Sequence, residues 1–356
     1  MELAGQWAWR FLVVAAAITV CVYVVAALSE IVIPVLVALL VCALVAPPMQ
    51  FLQRLRWPKW LALAVSLIGV LVIIGGLALL VTVQIRSGLP ELEARSVTRY
   101  NDFRVFLRTG PFHLSDTALD ADLANAETTA RKYGSVIFSG ALSAGATAGR
   151  IGAGALIALF STIFMLIDGS GVWGWIVRLF PRRARAALDG AGHAGWHTLS
   201  AFVRVQILVA AADAVGVGLV AFVLGLPMAV PLAVLVFLAS FVPVIGAIIT
   251  GALAVLVALA FVGPWQALIM LAGVLAVHLL EAHVLQPLVM GSAVRVHPLA
   301  VVLSVAGGSI VAGIPGALFA VPAVAVIHVM ISYIASGTWR GAPRARHTRI
   351  PDGLTP

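Results

Sequence analysis

Apolar positions fill the chain in long runs, at about 9–28, 31–46, 60–85, 148–167, 201–224, 229–262, 264–286 and 298–336. A helix needs about 20 residues to cross a hydrocarbon core of about 30 Å. Most of the runs therefore predict one transmembrane helix each. Two are the wrong length. The 229–262 run has 34 residues and the 298–336 run has 39, about 51 and 58 Å of helix at 1.5 Å per residue. Each is too long for one upright span and too short for two.

Both long runs are also interrupted. The first carries FVPVIGA, with Pro243 and Gly246; the second carries AGIPGALFAVP, with Gly313, Pro315, Gly316 and Pro322. Proline removes a backbone donor and clashes with the preceding turn, while glycine permits a reversal. The pattern predicts two broken or re-entrant helical hairpins. Irregular backbone at that depth is tolerated only where protein or a polar cavity surrounds it, and paired interrupted segments of this kind point to a transporter's substrate site. The alternative is a pair of long, kinked, tilted spans.

The polar segments complete the outline. Residues 86–133 hold seven basic and seven acidic residues. Leu89, Leu92, Tyr100, Phe103 and Leu107 recur there at near-helical spacing, which predicts amphipathic helices lying on the membrane surface or packed on the spans. The expected organisation is three spans in 1–85, an extracytoplasmic segment at 86–133, a transport region at 134–336 and a basic cytoplasmic tail at 337–356.

Composition agrees with the pattern. Of 356 residues, 62% are hydrophobic and 10% charged, against about 25% charged in a soluble domain; the mean hydropathy is +1.11. The fold class is all-α, a polytopic membrane protein. The net charge of +8 does not imply nucleic acid, because no folded basic domain carries it. Basic residues cluster at 47–60 (Arg54, Arg56, Lys59), at 168–199 (Arg178, Arg182, Arg183, Arg185) and in the tail. Such clusters beside apolar runs mark cytoplasmic loops, and both termini are expected inside. The first apolar run reads as an uncleaved span and not a signal peptide, since a second follows at once. Cys21 and Cys42 lie within apolar runs as packing residues. Small residues at 139–155 (SGALSAGATAGRIGAGA) suit close helix approach within a homo-oligomer.

Ionisable groups inside spans are costly and usually functional. Asp213 lies about ten residues into the fifth run, with Gln206 two turns earlier on the same face. His278 and Glu281 share a face at i, i+3, whereas His283 points elsewhere. A zincin needs HExxH and the inverted form HxxEH. HLLEAH has one residue too many for a regular helix to converge all three groups on one ion, so no metal, cofactor or catalytic residue is expected from this stretch. Asp213 is a candidate carrier of a coupling proton; its bland alternative is a hydrogen bond to a neighbouring helix. Glu281 could equally pair with Arg204 or Arg295, and Ser240, Ser304 and Ser309 read as packing or backbone partners.

Three stretches in fixed order resemble a known family. They are IVIPVLVALLVCALVAPPMQFLQRL, GLPMAVPLAVLVFLASFVPVIGAII, and EAHVLQPLVMGSAVRVHPLAVVLSVAGGSIVAGIPGALFAVPAVAVI. The most specific positions are Pro243 and Gly246, then Glu281, Gln286, Pro287, Gly291, His297 and Pro298 in E-x4-QP-x3-G-x5-HP. The chain resembles the AI-2E family, the autoinducer-2 exporter-like or PerM-like permeases of bacteria. The resemblance implies a multi-pass inner-membrane transporter of a small molecule or ion, with some members linked to autoinducer-2 export and others to sodium/proton antiport. This sequence departs from the family pattern at Val244, Ala247 and His283. With no P-loop GxxxxGK[ST] in the chain, transport would be secondary, with a non-transporting membrane scaffold as the remaining alternative.

The two readings of the long runs place the 287–297 loop on opposite sides of the membrane. Arg295 favours the inside, hence the hairpins. Ser292→Cys is expected to react with a membrane-impermeant maleimide from the cytoplasmic side; reaction only from outside removes the double hairpin.

Overall fold

A computed structural model of the chain describes residues 26–109, 152–242, 245–285 and 298–340, with scattered positions between 9 and 24. The expectations for Cys21, Pro243, Val244, Gln286, Pro287, Gly291, Ser292, Arg295, His297, residues 110–151 and the tail from 341 fall outside the described residues. Among the described residues every regular element is helical.

The helices are α1 (Ser29–Arg54), α2 (Lys59–Thr109), α3 (Gly152–Arg178), α4 (Arg182–Val223), α5 (Ala229–Ala239), α6 (Ile245–Phe261), α7 (Pro264–Leu280) and α8 (Pro298–Ser336). Six of them are long and apolar enough to cross a membrane, which makes this a polytopic membrane protein. The two remaining, α5 and α6, are the halves of the first overlong run.

Two expectations about polar segments change. No break separates the third span from the polar stretch after residue 85, because α2 runs on through Gly88 and Pro90 to Thr109. Its 51 residues reach about 76 Å, and Glu91–Arg95 is a run of strong helix formers that carries it past the proline. Nor is 168–199 a loop. α3 continues to Arg178 and α4 begins at Arg182, so the basic cluster sits on a tight helical corner. The Arg185 guanidinium closes that corner. Its Nε donates to the Phe180 carbonyl at 3.0 Å and its Nη2 to the Arg178 carbonyl at 2.7 Å. These are the unpartnered carbonyls a helix C-terminus leaves, and the cation also suits that end of the dipole. Trp173 Nε1 donates to Asp189 Oδ1 at 3.1 Å, tying the first turns of α4 back to α3.

Packing uses small side chains. One core cluster joins α4, α5, α6 and α7 through Val217, Ala221, Leu232, Val236, Ala254 and Met270, among others. A second joins α1 to α4 through Ala43, Phe202 and Val203. Large apolar residues such as Phe160, Leu219, Phe222 and Ile310 stay exposed, as lipid-facing positions should. Alanine and glycine inside with bulky groups outside is the reverse of a soluble core, and it lets backbones approach. Cys42 is buried, with Sγ 3.6 Å from the Thr162 carbonyl of α3.

The second overlong run is also divided. Within α8 the backbone leaves helical geometry at Ala312 and Gly313, the latter at φ 61° and ψ −142°. Glycine adopts that left-handed value without strain. Gly308 and Gly316, about 12 Å apart along a straight helix, instead lie against each other's backbone carbonyls. The chain therefore folds back sharply, with two helical arms meeting on glycine. The C-terminal arm packs on α4, where Gly195 faces Val326 and Met330.

A side chain at 316 would enter the Gly308 carbonyl, whereas one at 307 meets nothing within 4 Å. Gly316→Val is expected to cost about 3 kcal/mol or more. Gly307→Ala should leave stability unchanged or raise it by up to about 1 kcal/mol. Thermal melts in detergent check both, and equal melting temperatures would show that the arms do not meet.

Candidate functional site

The break between α5 and α6 is where polar side chains gather. An interrupted helix leaves carbonyls without intrahelical partners, and in a bilayer no water replaces them. Ser240, at the end of α5, lies at this point. Its carbonyl accepts a hydrogen bond from Gln206 Nε2 of α4 at 2.7 Å. Its hydroxyl lies 2.8 Å from the Val236 carbonyl and 3.3 Å from Asp213 Oδ2. The two α4 residues predicted to share a face, Gln206 and Asp213, thus both reach one serine.

Gly246, predicted at the hairpin, opens α6 and is buried directly against the Ala239 carbonyl. Only a residue without Cβ fits there. Ile245 and Gly246 start the second arm, and Thr250 anchors its own hydroxyl on the Gly246 carbonyl at 2.8 Å.

Asp213 is 3% exposed. Oδ2 has the serine; Oδ1 is buried with no hydrogen-bond partner. Such an atom is costly in an apolar interior and calls for an explanation. Facing it from α7 are His278 and Glu281, paired at 3.3 Å between Nδ1 and Oε2 and each partly accessible. One ligand-capable atom from each of Asp213, His278 and Glu281 falls within 4.8 Å of the others. Close approach of α4 and α7 allows this. Gly216 lies under Val277, and Gly273 under Val220.

Helix α7 does not simply end at Glu281. Residues Glu281–Leu285 form a π-helical turn, a wider winding that recurs at functional positions. His283 lies in it, exposed, with Nδ1 3.0 Å from the Leu279 carbonyl. It is directed away from His278 and Glu281, as its spacing predicts.

The structure thus brings Gln206, Asp213, His278 and Glu281 together and leaves His283 outside. Of the second hairpin, Gly313, Pro315 and Gly316 form the fold-back in α8, and Pro298 opens that helix. Ser304 and Ser309 bond carbonyls of their own helix at 2.8 and 2.7 Å, the backbone role expected of them. Ser240 does more than that expectation. Its position just before the FVPVIGA break was the signal: a helix interrupted among apolar residues needs its last carbonyls met from elsewhere. The expectation of no metal rested on ligands from one stretch of helix, and the third group comes from α4.

Comparison with known proteins identifies the family. Residues 12–336 match the family described as AI-2E family transporter. Over 334 residues the chain is 41% identical to "Putative transport protein MT0215" of Mycobacterium tuberculosis, covering 94% of this chain and 91% of that one. It is 25% identical over 324 residues to the AI-2 transport protein TqsA of Escherichia coli, covering 87% and 88% of the two chains. It is also 30% identical over 134 residues to "Putative transport protein YrrI" of Bacillus subtilis, 38% of each chain. With the match running from the first apolar segment to the end of α8, this chain belongs to the AI-2E family of membrane transporters.

Proposed function

We propose that the chain is a secondary transporter that exports a small polar solute across the bacterial inner membrane, with the α5–α6 and α8 breaks as re-entrant hairpins beside the path. The observation that carries this reading is the polar string Gln206–Ser240–Asp213, continued by His278 and Glu281 on α7. It crosses from an interrupted helix to a π-helical turn through a largely apolar bundle. Polar groups in that position serve substrate or ion passage more often than stability. Similarity to a protein named for AI-2 transport supports a small polar solute of that kind. The departures from the family pattern at Val244 and Ala247 fall in the FVPVIGA sequence, where selectivity would be set. Small-residue faces support a homo-oligomer.

The serine also bears on coupling. Its single hydroxyl proton has two acceptors in reach, the Val236 carbonyl at 2.8 Å and Asp213 Oδ2 at 3.3 Å. When the proton serves Val236, a hydrogen bond to Asp213 needs a proton on the carboxyl. When Asp213 is ionised, the hydroxyl must turn to it. Ser240 thereby links protonation of Asp213 to the backbone at the break, which is the connection a proton-driven cycle requires. The same linkage serves sodium/proton antiport, the second reading.

Reconstituted protein separates the readings. Under an imposed proton gradient, wild-type proteoliposomes are expected to move an autoinducer-2-like solute. Asp213→Asn should lower that flux at least about 100-fold while retaining the wild-type elution volume, and His283→Gln should stay within about two-fold. A sodium-induced pH change without solute flux selects antiport. Full activity in Asp213→Asn removes proton coupling through this residue.

Ser240→Ala leaves both Asp213 oxygens without a donor and is expected to cost about 1–3 kcal/mol. That cost should be non-additive with Asp213→Ala in a double-mutant cycle on thermal stability. Additive effects would show that the contact carries no energy.

A further inference from the structure

We propose that Asp213, His278 and Glu281 form a binding site for one divalent transition-metal cation of the Zn2+ or Mn2+ class. The inference deepens the transport reading by naming an ion for its polar cluster, and rests on that reading only for what the ion does once bound.

Three observations carry it. The donor atoms come from two different helices, yet all lie within 4.8 Å of one another. His278 Nδ1 and Glu281 Oε2 are already 3.3 Å apart, about the separation of two donors around a tetrahedral zinc with bonds near 2.0–2.2 Å. Asp213 completes the set: its ligand atom lies within 4.8 Å of the other two, a gap that a side-chain rotation can close. Independently, Asp213 Oδ1 is buried and lacks a partner. A cation between the three groups supplies one.

The donor chemistry narrows the class. Two carboxylates and one imidazole suit zinc, manganese, cobalt or nickel; calcium and magnesium prefer all-oxygen shells. Sodium, likewise a hard ion, gains little from the imidazole. Ligation fits the charge: with both carboxylates ionised and the histidine neutral, as metal ligands must be, the cluster carries an excess of negative charge in a low-dielectric bundle. A divalent cation cancels it. His278 and Glu281 are partly accessible, so water can fill the remaining coordination positions and the ion has a way in. The π-helical turn that starts at Glu281 gives this ligand a backbone with room to adjust.

The full chain, purified in detergent and stripped with a chelator, is titrated with Co2+ followed by visible absorption and with Zn2+ by calorimetry. One ion per chain is expected, displaced by excess Zn2+ and not by Na+, Ca2+ or Mg2+. Asp213→Asn, His278→Gln and Glu281→Gln should each weaken binding at least about ten-fold. His283→Gln, which alters an exposed histidine two residues from Glu281, should bind as the wild type does. Because Asp213→Asn could disturb the buried core, the partly accessible His278→Gln supplies the second readout: Zn2+ should raise the melting temperature of the wild type and not of this variant. No Co2+ or Zn2+ binding by the wild type, binding undiminished in His278→Gln, or binding lost in His283→Gln would each overturn the site. Proton-driven flux without metal binding overturns the metal site alone. Metal binding without any flux overturns the transport reading and leaves the site standing.

Discussion

An interrupted helix in a hydrocarbon setting must have its freed carbonyls answered by protein, and the rest of this molecule is arranged around that requirement. At the end of α5 the answer is the Gln206 amide, donating to the Ser240 carbonyl at 2.7 Å. Without such a donor the open end would face lipid or apolar side chains, at a cost of several kcal/mol. Gln206 can reach only because α4 is a continuous helix packed along α5, so the longest apolar helix of the transport region serves as a strut for its broken neighbour. The Arg185 guanidinium does the same for the last turn of α3 outside the apolar zone. One rule thus operates at both places, with a neutral amide inside the bundle and a cation at its edge.

Close packing follows from the same constraint. A polar contact between helices survives in lipid only if the backbones are near enough for short side chains to meet. Gly216 and Gly273 bring α4 and α7 together, and the result is Asp213 opposite His278 and Glu281. In α8 the approach is closer, with Gly308 and Gly316 backbone to backbone. Alanine and valine make up most of the buried positions, while most of the leucines and isoleucines face outward. Small residues therefore do not merely fill space here; they set which polar groups can touch.

Much of this was readable from the sequence, because its strongest signals were physical. Run length against bilayer thickness separated two overlong elements from ordinary spans, and both contain breaks, at 240–242 and at Ala312–Gly313. Helical spacing placed Gln206 and Asp213 on one face and turned His283 away from His278 and Glu281. What the sequence could not show was continuation and convergence. Charge density marked 168–199 as a loop and 86 onward as a new segment, yet helix fills the first except for the corner at 179–181 and continues through the second to Thr109. Polarity reports where a chain meets water, not where its helix stops. Nor does spacing within one helix reveal a partner from another. Asp213 and His278 are far apart in the chain, and only the α4–α7 crossing brings them within reach.

The polar cluster differs from an ordinary buried network in being incomplete. A stabilising network satisfies every member, since a half-satisfied one is worse than an apolar core. Ser240 divides one proton between Val236 and Asp213, and Asp213 Oδ1 has no partner within the protein. Replacing this group with a packed leucine would be the cheaper way to build a helix bundle. A carboxylate kept at 3% exposure, beside a partly accessible imidazole–carboxylate pair and a break in the neighbouring helix, instead fits the proposed site for something from outside the chain. A proton, a cation or a solute donor each meets that need. Whichever arrives also alters the demand on the Ser240 hydroxyl, and through it the last turn of α5. Occupancy of the site and geometry of the broken helix are in this way one equilibrium rather than two.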